Sequence, residues 1–178
     1  GYAAEEVGLR GSKAIAQSFK SSGKNVVGVA QFDMSGYKGS QSSDIVFIND
    51  YTNAAQNQFM GQLVDTYQSS LTHETSACGY ACSDHASWNN EGFAASFPAE
   101  ARLNDSNSSI HTANDTSYDV SHSIKFARLS AAYVAELAKG GTGSTPPPPP
   151  PPPPPSTGGE LENGVAKTGL GANKDSEL

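Results

Sequence analysis

Along the first 139 residues, short unbroken apolar runs alternate with stretches in which apolar residues return every third or fourth position. The runs at 25–34 and 44–48 are rich in Val and Ile and bounded by turn residues, a pattern that predicts buried strands. Met60, Leu63, Val64, Tyr67 and Leu71 follow one helical face, and so do Phe126, Leu129, Tyr133 and Leu137. Both helices are expected to pack on a sheet. A further helix is expected over 10–22 with Ile15 and Phe19 inward, stopped at Gly23, because glycine accepts the left-handed cap conformation. Another apolar strand falls near 93–97, and residues 1–4 read as the end of a strand that begins upstream. Strands separated by helices define an α/β class. So few strands could not cover four or five amphipathic helices, since sheets usually hold about five or six; missing upstream sequence is therefore expected.

Charge narrows the possible partners. The chain has 178 residues, with 11 Lys+Arg against 18 Asp+Glu and a formal net charge of −7. Binding to nucleic acid draws its free energy from clustered Lys and Arg, which this chain lacks, so nucleic acid is excluded as a partner. The longest apolar runs are strand-length, short of the ~20 residues that span a bilayer, and no membrane role is expected. Composition shifts at Gly140, where a Gly/Thr stretch leads into ten consecutive prolines, 146–155. Such a run forms a polyproline II rod of about 30 Å. The organisation expected is a globular part over 1–139, a linker over 140–159, and a remnant over 160–178 too short to bury its own apolar surface.

Four sets of residues could carry chemistry. Glu5 and Glu6 stand between the strand remnant and a Gly-rich turn entering a helix, and strand ends are where α/β sites form. One carboxylate could face a metal and the other a water, although acids also simply favour helix starts. Asp33 ends the apolar run at 26–32 and could be either a site residue or a turn aspartate. His111 lies in a polar loop before the last helix; its imidazole suits zinc, with Asp115 or a carbonyl able to fix the tautomer. Loop histidines are more often plain surface residues, and His73, His85 and His122 are read that way. Cys78 and Cys82 are the only cysteines. They cannot complete a four-ligand zinc site, and a short disulfide in an oxidising compartment fits better. Ser83-Asp84-His85 mimics a catalytic triad in sequence only, since triad members come from distant parts of a chain.

Taken together, the motifs resemble the bacterial leucyl aminopeptidase family of secreted, co-catalytic zinc exopeptidases. The resemblance runs through Tyr2-Ala3-Ala4-Glu5-Glu6-Val7-Gly8-Leu9-Arg10-Gly11-Ser12, then Phe32-Asp33-Met34, then the stretch from Cys78 to Trp88, and finally Ile110-His111-Thr112. It implies a three-layer mixed sheet flanked by helices, incomplete here, and two zinc ions. Within it, Glu5 matches the general base, Glu6 and His111 match ligands of one zinc, and Asp33 matches a ligand of the other. Cys78 and Cys82 match a disulfide beside the pocket. Met34, Ile48, Tyr80, Phe97, Leu103 and Ile110 match positions lining the apolar pocket for the N-terminal side chain of a peptide with a free α-amine.

The departures are specific. The family's bridging aspartate and second histidine lie upstream of the Glu-Glu motif, so the 178 residues alone are expected to be inactive or nearly so. Ala99 and Ser106 stand where the family often carries aromatic residues, which predicts a wider pocket. Residues 160–170 resemble the opening strand of a bacterial pre-peptidase C-terminal β-sandwich domain, in keeping with a secreted, monomeric enzyme. Two other functions remain open at this point. One is a di-zinc carboxypeptidase or amidohydrolase of the same fold, which needs an arginine for the substrate carboxylate from among Arg10, Arg102 and Arg128. The other is a non-catalytic binding relative.

Overall fold

A computed structural model describes residues 1–139; the expected linker and the remnant at 160–178 lie outside the described residues. Helix α1 spans Arg10–Ser21 and is followed by strands β1 (Val29–Ala30) and β2 (Ile45–Ile48). Then come α2 (Ala54–Tyr67), β3 (His73–Ser76), α3 (His85–Asn90), β4 (Ala95–Ser96), β5 (Pro98–Ala99) and α4 (Val120–Ala138). Parallel β1 and β4 form one small sheet, and a second has the order β3-β2-β5, with β3 parallel and β5 antiparallel to β2. The result is a mixed α/β arrangement.

Strand β2 organises the core because its alternate residues point to opposite faces. Ile45 and Phe47 enter a cluster with Met60, Leu63 and Val64 of α2 and Phe126, Leu129 and Tyr133 of α4. Val46 and Ile48 point the other way, to Phe97, Ala99 and the two cysteines. One four-residue strand thus joins the helical layer to the opposite face. A third cluster sets Ala16 of α1 against Trp88 and Ala95, with Phe19, Val29 and Phe93 around them. Gln56 ties α2 to the β1–β4 sheet: its amide donates to the Val29 carbonyl at 2.7 Å and to the Ser96 hydroxyl at 3.1 Å. Helices α2 and α4 start at Asn53 and Asp119, whose side chains accept the backbone N–H groups of Gln56 and His122.

Several sequence expectations need correction. Residues 1–4 are irregular, with a bend at Ala3 and Ala4, and pair with no strand among the described residues. The run at 25–34 yields only the two-residue β1, and Val27 is exposed. Ile15 is exposed as well; Ser12 and Ala16 take the buried face of α1, while Phe19 packs edge-on against Trp88 at 5.4 Å. Tyr67 and Leu137 reach solvent at the C-terminal ends of their helices, beyond the edge of the sheet. Gly23 does adopt a left-handed conformation, with φ 64°, and the following N–H of Lys24 closes on the Phe19 carbonyl at 3.0 Å.

Candidate active site

The turn before α1 presents the two glutamates. The N–H groups of Gly8 and Leu9 both donate to the Glu5 carbonyl, at 3.0 and 2.8 Å, and the N–H of Gly11 reaches the Ala3 carbonyl at 2.9 Å. A side chain at position 11 would collide with that carbonyl, its Cβ falling 2.3 Å from the oxygen. Ser12, fully buried, donates to the Leu9 carbonyl and meets the Ser87 hydroxyl at 2.8 Å, which fastens the turn to α3.

Asp33 follows β1, and both of its carboxylate oxygens are engaged. One accepts the N–H of Met34 at 2.9 Å and the other the hydroxyl of Ser83 at 2.8 Å. His111 sits in the loop beyond the 3₁₀ turn Leu103–Asp105, and its Nδ1 lies 3.1 Å from Glu6 Oε1. Glu5, Glu6, Asp33 and His111 come from three separate stretches of sequence and line one cavity of about 1580 Å³. Leu9, Met34 and His111, all on its wall, hold left-handed φ values of 57°, 50° and 66°. Such non-glycine conformations persist where surrounding bonds enforce them, often at functional sites.

Met34, Ile48, Tyr80, Phe97, Leu103 and Ile110 also contribute to the lining of this cavity, as do Ala99 and Ser106; Ile48, Phe97 and Ala99 pack together with the two cysteines as its apolar part. Cys78 and Cys82 form a disulfide. Their loop is pinned a second time by Asp50, whose carboxylate accepts the N–H groups of Cys78 and Gly79. Tyr80 projects from this loop and is partly exposed.

Electrostatics distinguish the acidic end. Burial pushes the Glu5 carboxyl up to about 7, and the negative charges of Glu6, Asp33 and Asp84 add to that, with His111 opposing. Asp84 is itself raised by burial, and its Oδ1 has no hydrogen-bond partner among the described residues. Carboxylates and an imidazole nitrogen are the donors zinc takes, and gathered negative charge of this kind is offset by a bound cation. These donors fit a metal by type, although among the described residues no three His, Cys, Asp or Glu side chains gather closely enough to complete a binding group.

The other histidines are occupied elsewhere, and none lines the cavity. Contrary to the surface expectation, His85 and His122 are buried, and their Nε2 atoms meet the carbonyls of Asp50 and Glu100 at 3.0 and 3.2 Å. His73 pairs with Asp65. Ser83, Asp84 and His85 send their side chains to separate neighbours, so no triad forms. Sequence reasoning missed Ser83 as a partner of Asp33, and it missed Asp50 and Glu100. For Glu100 a signal existed: one acid within the otherwise apolar or small stretch at 95–101 must be buried with partners.

The pattern of Peptidase family M28 matches residues 1–134. The chain belongs to this family. It is 41% identical over 138 residues to a probable leucine aminopeptidase of Arthroderma benhamiae, a match covering 76% of this chain and 37% of that protein. Among solved structures, the Legionella pneumophila LapA aminopeptidase superposes with a TM-score of 0.73 at 39% identity, covering 77% of this chain and 38% of LapA. LapB from the same organism gives 0.72 at 36% identity, covering 77% and 38%. The M28 chain described here thus spans about two-fifths of the length of these relatives. Its mixed α/β fold is the corresponding portion of theirs. Among the described residues, no helix is long and apolar enough to cross a membrane.

Proposed function

We propose that this chain is part of a secreted zinc aminopeptidase that removes N-terminal, preferentially apolar, residues from peptides. The observation that carries the reading is that Glu5, Glu6, Asp33 and His111 line one cavity to which apolar side chains also contribute. Glu6 and His111 would hold one zinc and Asp33 a second. Zinc takes about four ligands, so further donors would come from the length that the relatives have and this chain does not span. When bound, the two ions would acidify a water and stabilise the charge that develops on the scissile carbonyl.

The remaining work falls to side chains of this chain. Glu5 takes a proton from the attacking water and returns it to the leaving amine; a carboxyl raised to about 7 by burial, with its acidic neighbours adding to the shift, suits both halves of that task. Asp33 is held in place by Ser83 and by the N–H of Met34. Ile48 and Phe97 provide a rigid apolar floor for the N-terminal side chain, and Tyr80 overhangs it from the disulfide loop. No arginine lines the cavity among the described residues, and Arg102 is paired with Glu74, which favours recognition of a free amine over that of a free carboxylate.

The test is hydrolysis of leucyl anilide by the full-length enzyme, with and without chelator and beside an N-acetylated peptide. Activity that is abolished by the chelator, restored by zinc and absent on the blocked peptide is expected. Undiminished activity in the chelator, or equal cleavage of the blocked peptide, would overturn the reading.

A further inference from the structure

The segment after Asp33 is held by an acid from another part of the chain. Glu100, next to β5, is only 5% exposed, and its Oε2 accepts the N–H groups of Gly36 and Tyr37, both at 2.6 Å. Its own N–H donates to the Met34 carbonyl at 2.9 Å. Its carbonyl is fixed in turn by the Gln41 amide at 3.0 Å and by His122 Nε2 at 3.2 Å. Three main-chain groups of residues 34–37 therefore end on one residue, and a fourth, the Gly36 carbonyl, accepts the N–H of Asp119 at 2.6 Å. Gly36 lies against the ring of Tyr118 so closely that a Cβ would fall 2.3 Å from a ring carbon.

We propose that Glu100 is a positioning residue for the metal end of the site, acting through Met34 on Asp33. Met34 is left-handed, with φ 50°. Its N–H donates to Asp33 Oδ1 while its carbonyl accepts from Glu100, so the direction of the Asp33 carboxylate depends on how Met34 is held. A buried carboxylate is a costly way to build a turn unless it is fully bonded. Here its two bonds fix the Ser35–Gly36 and Gly36–Tyr37 peptides. Met34 also lines the cavity, so the same clamp sets one wall of the pocket. The inference rests on the reading of Asp33 as a metal ligand.

The test measures zinc affinity by competition against a chromophoric chelator, using the full-length enzyme and its E100Q, E100D and E100A variants. Measurements are made at a temperature where circular dichroism shows each protein folded. The amide oxygen of glutamine can still accept both N–H groups, so E100Q should stay with the wild type. E100A loses both bonds, and E100D is one methylene too short to keep both; each should bind zinc about 10–100-fold more weakly, the range seen when groups supporting a ligand are removed. A residue that merely stabilised the fold would lower melting temperature without changing zinc affinity per folded molecule. If E100A does not fold, E100D and E100Q decide between them. A zinc-binding wild type matched by E100D, or an E100Q as weak as E100A, overturns the proposal alone. A wild type that takes up no zinc overturns the metal reading and this one with it.

Discussion

The two ends of the cavity are built by opposite means. At the acidic end, Glu6 and His111 are more than half exposed and sit on turns, and Glu5 is pushed up to about 7 by burial and by like charges. At the apolar end, Ile48 and Phe97 are each 1% exposed and belong to the strand layer itself. Like charges crowd a partly desolvated Glu5, which costs stability. Groups meant to select a side chain are part of the core, which supplies stability. The comparison predicts that substitutions at the first end damage turnover with little effect on folding, and that substitutions at the second do the reverse.

Glu5→Gln is the sharpest attempt to break that division. Losing the proton acceptor should lower kcat of the full-length enzyme by about 10²–10⁴-fold, the usual contribution of general acid–base catalysis. Zinc content and melting temperature should hold or rise slightly, because one of several repelling charges is gone. A large fall in stability would show that the acidic end is also structural.

Phe97→Ala tests the other end. Phe97 is buried against Val46, Ile48 and Ala99 and packs on the tilted His85 ring, centroid to centroid at 5.0 Å. Its truncation should cost about 3–5 kcal/mol, the range for phenylalanine in a packed core, read as a shift in denaturant midpoint. A loss well under 1 kcal/mol would mean that the apolar end collapses easily around the vacancy and is not rigid.

The same floor carries a pH sensitivity. Burial lowers the His85 pKa from 6.5 to about 4, although its bond to the Asp50 carbonyl and nearby charge oppose the shift. The unfolded chain therefore takes up a proton near 6.5 that the native chain refuses until about 4. Stability should be level above that interval and fall as pH drops through it, by about 3 kcal/mol in total. His85→Gln should flatten this part of a melting-temperature profile; an unchanged slope would assign the acid sensitivity to other groups.

These residues also show what the sequence made legible. Alternation and helical spacing located β2, α2 and α4, because each buries a continuous stripe. They overstated the run at 25–34 and the inward turn of Ile15, because periodicity reports apolarity and not the presence of a neighbour to cover it. Glu5, Glu6, Asp33 and His111 stood out as chemistry-bearing types at strand ends and in loops, and the structure brings them to one cavity. Ser83, Asp50 and Glu100 did not stand out. Their task is to accept or donate hydrogen bonds across 28 to 64 residues of sequence, and no local pattern encodes a pairing made only by folding.

The disulfide loop gives the smallest effect and the finest test, because it belongs to the apolar end but is not part of its core. Cys78 and Cys82 are four residues apart, and closing so short a loop removes little freedom from the unfolded chain; on chain-entropy grounds it contributes roughly 2 kcal/mol or less. Asp50 holds the same loop through two backbone N–H groups, which should retain part of its shape after the sulfurs are gone. Replacing both cysteines with serine should therefore leave zinc content and kcat near those of the parent. KM for leucyl substrates should rise, because Tyr80 is then held by Asp50 alone. Adding Asp50→Ala should raise KM by more than the sum of the separate effects, since each pin masks the loss of the other. Strictly additive effects would mean that the two pins act on different parts of the loop, and that Tyr80 owes its place to only one of them.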